Sequence, residues 1–362
     1  MTPNVRAIAL YLPQFHPIPE NDAWWGRGFT EWTNVTKARP LFQGHYQPHL
    51  PADLGFCDLR VPEVRAAQAD LARQNGIHGF SYYHYWFGGR RLLNRPFDEV
   101  LASGAPDFPF CLCWANEPWS RRWTGEERDI LMPQDHSAED DEAHGRFLAR
   151  AFADPRYIRH HGRPLFLVWR PWQLPHPVQL TLDRIAATVE SEGLPRPFFL
   201  GVDSHCPRVD TRTLGFDSTM TFAPNLGYLP GGSSDGFSFS RLQRNVTRGW
   251  FDGWRKAFDY QEVVDSLVPL RTGERPAAPC AFVGWDNTPR RGKNGVVIVG
   301  GGPDAFGADF RHCVELARKW DADEPLVFIN AWNEWAEGCH LEPDQRFGTK
   351  FLEQVRSALS GQ

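Results

Sequence analysis

Glu334, Glu337 and Glu342 stand together in the stretch INAWNEWAEGCHLEPD, residues 329–344, interleaved with Trp332 and Trp335. Cleavage of a glycosidic bond needs one protonated and one ionised carboxyl flanking the scissile bond. Two carboxylates in one aromatic pocket do not both ionise cheaply, so one pKa is expected to rise. A spacing of three residues past a strand end can direct Glu334 and Glu337 into the same cavity. Two glutamates at a helix N-terminus, or a salt bridge to an arginine, would show the same spacing. Glu342, in LEPD, is expected to buttress the loop or the pocket.

Further candidates lie far away in sequence. Asn116 and Glu117 end the run PFCLCWA, with Trp114 before them and Trp119 after. Glu117 is a rival acid, although Arg121 and Arg122 close behind can equally hold it ionised. Glu31, in GFTEWTN beside Trp25 and Trp32, is expected to bind substrate. Asp286, in GWDN, is placed to accept from a sugar hydroxyl. Tyr11, Gln14, His16, Tyr83, His84, Tyr85 and Trp86 are pocket-lining candidates, as are Asn333 and Trp335. Residues 82–86 alternate across a sheet, so only some can face inward. For any one of these rings, packing at the rim of the core is the competing role. His45 and His49, in HYQPHLP, are four apart. Pro48 and Pro51 make that segment a loop, which points to a structural role over metal ligation. No metal and no cofactor are expected.

These side chains need elements to aim them. Apolar, β-rich runs recur at 5–11, 76–87, 109–115, 164–170, 197–203, 216–222, 279–286 and 325–333. Helical patterns fall at about 61–75, 92–103, 139–152, 177–193, 257–270, 305–320 and 347–360. Strands without clean alternation are buried on both faces and imply a parallel sheet covered by helices. Eight of them predict an α/β fold, a single (β/α)8 TIM barrel. The segments 12–59, 116–138 and 223–256 read as βα loops enlarged over its mouth. Active sites of such barrels sit at the C-terminal ends of the strands. Here those ends read YLPQFHP, YYHYWF, CWANEPW, VWRPW, GVDSH, TFAPN, VGWDN and NAWNEWAEG. Apolar strand interiors with polar-aromatic ends describe a carbohydrate cleft at a barrel mouth. Residues 1–362 are expected to form one catalytic barrel.

Composition narrows the classes. The chain of 362 residues has 15 Trp and is 14% aromatic, an excess that suits stacking against sugar faces. A net charge of −5 argues against a nucleic-acid partner. No run of 18 apolar residues predicts a membrane span. The start, MTPNVRAIALYLPQF, lacks a signal-peptide layout. Seven scattered cysteines without a CxxC pair suit a reduced, cytoplasmic protein. Gly300, Gly302 and Ala305 mimic a dinucleotide fingerprint after an apolar run. Pro303 would occupy its turn and no βαβαβ half surrounds it. The segment therefore reads as the loop and helix start after the seventh strand.

The chain resembles the WbsX-type family, a bacterial group similar to glycoside hydrolase family 99. The resemblance runs nearly end to end. It rests on AIALYLPQFHPIPENDAWWGRGFTEWTNVTKARPLFQGHYQPHLPADLGF, GIHGFSYYHYWF, PFCLCWANEPWSRRW, GWDNTPRR and NEWAEGCHLEPD. Cys57 departs from it where an aromatic is expected. The family 99 motif NEWxEG falls on Asn333, Glu334, Trp335, Glu337 and Gly338. The resemblance implies that Glu334 deprotonates the sugar 2-hydroxyl, whose oxygen attacks C1 to give a 1,2-anhydro sugar. It implies that Glu337 protonates the leaving oxygen and later activates water. Ala336 departs from the relatives, where a His is common, and leaves the sugar open.

The expected function is a retaining, endo-acting, α-mannosidase-like glycoside hydrolase on a bacterial oligo- or polysaccharide. The alternative is a glycosyltransferase or transglycosylase of O-antigen or capsule assembly. The Asp321–Asp323 pair of a DxD pattern falls at the barrel's bottom face, which disfavours a metal-dependent donor site. A non-catalytic glycan-binding barrel would not need the Glu334 and Glu337 pair.

Overall fold

Each of the eight apolar runs becomes a strand: β1 (Arg6–Tyr11), β2 (Ile77–Phe87), β3 (Phe110–Trp114), β4 (Arg163–Val168), β5 (Phe198–Val202), β6 (Ser218–Thr221), β7 (Ala278–Phe282) and β8 (Leu326–Asn330). The computed structural model describes residues 4–121, 126–205, 209–230, 256–272 and 277–361, with positions 243 and 246. Every residue of β3, β5, β6, β7 and β8 is buried. That is the two-sided burial which continuous apolar runs require. Consecutive strands pair in parallel, and β1 pairs with both β2 and β8, which closes the barrel.

Helices cover the barrel: α1 (Pro62–Gln74), α2 (Arg95–Ser103), α3 (Ala138–Phe152), α4 (Val178–Ser191), α5 (Tyr260–Arg271), α6 (Pro303–Trp320) and α7 (Lys350–Ser360). Local chemistry sets their starts. Ser137 accepts from the Asp140 N–H at 3.1 Å ahead of α3, whose first turn is acidic. The link from β5 to β6 carries only the 3-10 turn Thr211–Leu214. Gly201 on β5 permits this, since a Cβ there would lie 2.5 Å from the Thr211 Cβ. Between α5 and α6, the fully buried Arg271 pairs with Asp309 at 2.5 Å and donates to the Cys280 carbonyl at 2.6 Å.

Two expected boundaries shift. The run 279–286 does not stay in the barrel: Trp285–Asp286 leaves it and pairs antiparallel with Val296–Val299. That strand also pairs with Lys256–Asp259, giving a separate three-stranded sheet. The helix expected from 257 starts at Tyr260, because the Asp259 carboxylate caps the Gln261 and Glu262 N–H groups at 3.0 and 3.3 Å. The loop after β1 holds short helices at Pro19–Trp25 and Glu31–Val35. The loop after β3 holds a hairpin of Trp119–Arg121 with Glu126–Met132. Arg122 and most of the expected loop 223–256 lie outside the described residues. Gly300–Gly302 leads directly into α6, as loop and helix start. The six described cysteines are buried and unbridged. Among the described residues no helix is long and apolar enough to cross a membrane.

Candidate active site

Past β8 the chain makes a short antiparallel bridge of Asn333–Glu334 with Cys339–His340. The 3-10 turn Trp335–Glu337 lies between the two arms, closed by Gly338 at φ 58°. Only glycine suits that position: besides the left-handed backbone, a Cβ would sit 3.1 Å from the Asp286 Cβ. The tight turn carries Glu334 and Glu337 to the same cavity. Asn333 ties it to β1, accepting from the Leu12 N–H at 2.7 Å and donating to the Leu12 carbonyl at 3.0 Å. Trp335 is held beneath by its Nε1–H donating to Glu342 at 2.5 Å and by stacking on His340 at 3.8 Å.

Arg290 organises the carboxylates. Its Nη1 donates to Glu337 at 2.5 Å, and its Nη2 donates to Glu31 at 2.6 Å and to Glu334 at 3.0 Å. Glu31 is wholly buried and also accepts from the Ala336 N–H at 3.0 Å. One guanidinium among three carboxylates leaves excess negative charge in a desolvated place. Burial and the neighbouring Glu337 push Glu334 up to about 8. Burial also raises Glu337, against the pull of Arg290. Both shifts favour one shared proton over two full charges on the pair. The arginine salt bridge that the sequence left open is thus present, and it coexists with raised pKa values.

A cavity of about 270 Å³ opens over this turn, walled by residues from the ends of all eight strands. Gln14 from the β1 end and Tyr83 and Tyr85 from β2 stand on one side. Glu117 and Trp119 follow β3, and Trp169 and Arg170 follow β4. Arg170 pairs with Glu117 at 3.1 Å. His205, Phe222, Trp285 and Asn330 complete the wall, with Trp25 from the first loop.

Of the expected residues, Gln14, Tyr83, Tyr85, Glu117, Trp119, Glu334 and Glu337 line the cavity. The others stand behind it, each for a visible reason. On β2, alternation turns His84 and Trp86 outward, where His84 meets His144 at 3.0 Å and the Trp86 Nε1–H donates to Asp140 at 2.9 Å. Trp114 packs edge-on against the same His144. The Tyr11 hydroxyl donates to Gln68, which in turn donates to Glu342, so all three form a buried chain. His16 bonds its own loop at the Pro13 carbonyl, and burial lowers it to about 4. The Trp32 Nε1–H donates to the Cys57 carbonyl. The Asn116 amide bridges to the Arg170 backbone. Asp286 is saturated by His45, Gln47 and Thr288. Glu31, Asn333 and Trp335 position the turn from beneath.

Arg290 went unassigned from sequence, although GWDNTPRR contains it. Trp169, Arg170 and His205 were legible only as members of the strand ends VWRPW and GVDSH.

Comparison with known proteins agrees with this architecture. The family model described as Glycosyltransferase WbsX matches residues 7–355. Two proteins from strains of Xanthomonas campestris pv. campestris, both described as uncharacterized protein WxcX, are 44% identical over 355 residues. The match covers 98% of this chain and 49% of those relatives, so the chain spans about half their length. The structure of the GH99 endo-alpha-mannosidase from Bacteroides thetaiotaomicron superposes with a TM-score of 0.56 at 15% identity, covering 98% of this chain and 97% of that one. A structure described as a glycoside hydrolase-like protein gives a TM-score of 0.61 at 13% identity, covering 98% and 94%. At such identities the likeness is one of fold.

Proposed function

Since the chain belongs to the family described as Glycosyltransferase WbsX, we propose that it is a carbohydrate-active enzyme acting on an oligo- or polysaccharide. More specifically, we read it as a retaining, endo-acting, α-mannosidase-like glycoside hydrolase. The observation that carries this is the Glu334 and Glu337 pair, clasped to one guanidinium on the floor of an aromatic cleft. Both carboxylates reach one guanidinium, so they face the same part of the cleft.

In this reaction Glu334 takes the proton of the sugar 2-hydroxyl, and the freed oxygen attacks C1. Glu337 gives its proton to the leaving oxygen as the glycosidic bond breaks. Water, deprotonated by Glu337, then opens the 1,2-anhydro sugar, and Glu334 returns its proton to the 2-oxygen. Each half-reaction needs one carboxyl protonated and its partner ionised, which a pair sharing one proton supplies. Without substrate, Arg290 lies nearer Glu337 than Glu334, and burial raises both carboxyls. The hydrolytic route uses the state with Glu337 protonated and Glu334 ionised, with Arg290 bonded to both. Tyr83, Tyr85 and Trp119 supply rings for sugar faces, and Gln14 and Glu117 supply partners for hydroxyls.

A second reading has the anhydro sugar opened by a sugar hydroxyl, which makes the enzyme a transglycosylase or, with an activated donor, a glycosyltransferase. The family's own description favours keeping it. The test is product analysis by NMR and mass spectrometry on α-mannans and bacterial surface polysaccharides, with and without nucleotide sugars. New reducing ends without a nucleotide sugar, lost in Glu334→Gln and in Glu337→Gln, are the expected result. Product that requires the donor overturns hydrolysis. Cleavage of a 2-deoxy substrate rejects the anhydro route.

A further inference from the structure

The loops after β7 and β8 enclose a second cavity of about 180 Å³, with Trp285 lining both it and the cleft. Its wall brings His49, from the long loop after β1, against His340 and Asp344 from the segment after β8. One donor atom from each of these three lies within 4.8 Å of the others. His49 Nδ1 is 2.8 Å from His340 Nε2, which is 4.0 Å from Asp344 Oδ2.

The hydrogen bonds around this trio fix which atoms carry lone pairs. His340 Nδ1 is 2.9 Å from the Glu342 carbonyl, which only accepts, so Nδ1 carries the hydrogen and Nε2 is left as a lone pair. Asp344 accepts the Tyr46 hydroxyl at 3.1 Å on Oδ2, and the Arg346 and Phe347 N–H groups at 3.0 and 2.6 Å on Oδ1. His340 Nε2 therefore accepts from His49 Nδ1–H at 2.8 Å, with Asp344 Oδ2 on its other side at 4.0 Å; moving the His49 hydrogen to its Nε2 would turn all three atoms into lone-pair donors around one point. A cation among the three would satisfy every lone pair. His45 offers a contrast. Its Nε2 meets Asp286 at 2.6 Å and its Nδ1 accepts from the Leu41 N–H at 3.0 Å, so neither nitrogen is available. The sequence pairs His49 with His45 by spacing, and the fold separates them.

We propose that His49 Nδ1, His340 Nε2 and Asp344 Oδ2 form a binding site for a divalent transition-metal ion of the zinc class, with its fourth position open to the cavity. Two imidazoles and a carboxylate are a donor set that this class prefers. The outer partners are of the kind such sites use: a carbonyl orients His340, and a hydroxyl and two amides orient Asp344. Stacking of His49 on Tyr46 and of His340 on Trp335 fixes both rings. A bound ion would tie the first loop to the segment just past Glu337.

A second cluster, His160, His161 and Asp321, serves as a control. Both of its imidazole Nε2 atoms already bond one carboxylate oxygen, at 3.1 and 2.6 Å. The test uses the full chain, stripped with a chelator, dialysed and titrated with zinc chloride by calorimetry, with bound metal measured by elemental analysis. One ion per chain is expected, with binding weakened about tenfold or more in His340→Ala and in Asp344→Asn, and unchanged in His160→Ala. No binding by the wild type, equal binding by all variants, or loss in His160→Ala alone overturns the proposal. Should the variants fail to fold, imidazole nitrogen shifts in the wild type decide. Zinc must move the His49 and His340 signals, and shifts confined to His160 and His161 overturn it.

Discussion

With Glu31, Glu334 and Glu337 all bonded to one guanidinium, the protonation of the site depends on Arg290. Replacing it by Met removes the cation that lowers both raised carboxyls, so their pKa values rise further. The acid limb of the pH–rate profile should then move upward and the rate at neutral pH should fall at least tenfold. Arg290→Lys, which keeps the charge but not the fork, should restore the limb without the full rate. An unmoved acid limb in Arg290→Met would detach the guanidinium from the proton inventory. Sequence could not foresee this partner, because 44 and 47 residues separate Arg290 from Glu334 and Glu337. The carboxylates were legible because three residues past an apolar strand is a local pattern. Tyr83 and Tyr85 could not be told from His84 and Trp86 in advance, since alternation fixes that two point inward without saying which two.

At the scale of elements, β6 is the exception to an apolar run, its Ser218 and Thr219 buried by bonding to Trp320 and Thr211. Most of the eight strands were legible because burial on both faces favours continuous apolar runs. The segment at Trp285–Asp286 read as a continuation of β7 for the same reason, since pairing with Val296–Val299 buries it equally well. Local composition cannot distinguish the two partners. Nor does it reveal that α5 and α6 are joined by Arg271 and Asp309, whose side chains are 0% and 1% exposed. Breaking such a pair on one side leaves a buried charge alone, at a cost of about 3–5 kcal/mol. Arg271→Met should therefore lower the urea midpoint sharply, and Asp309→Leu combined with it should recover most of the loss. A single variant as stable as the wild type would mean that water reaches the pair and screens it.

For the whole molecule, titration of the interior predicts an optimum of stability. Burial holds His16, His78 and His160 down to about 4, and His84 and His144 well below 6.5. Between 6.5 and 4 the unfolded chain binds protons that these imidazoles refuse, so their contribution is full above pH 6.5 and is lost as pH falls. The buried carboxyls act with the opposite sign. Glu334 stands at about 8, and burial raises Glu342 and Asp203 to about 7. Their contribution is full below the ordinary carboxylate range and is lost as pH rises toward 8. Each such buried group changes stability by up to about 1.4 kcal/mol per pH unit inside its window. Below pH 6.5 the two sets oppose; with His49, His136 and His340 also lowered, and Asp140, Asp141 and Glu337 also raised, the lowered imidazoles still outnumber the raised carboxyls among the described residues. Above it only the carboxyls still titrate. Calorimetric melting temperatures should therefore peak near pH 6.5 and decline on both sides, and Glu342→Gln should flatten the alkaline decline. A melting temperature that climbs steadily to pH 8 would show that these carboxyls are ionised in the folded protein. The shared proton on Glu334 and Glu337, and the chemistry built on it, would then fall together.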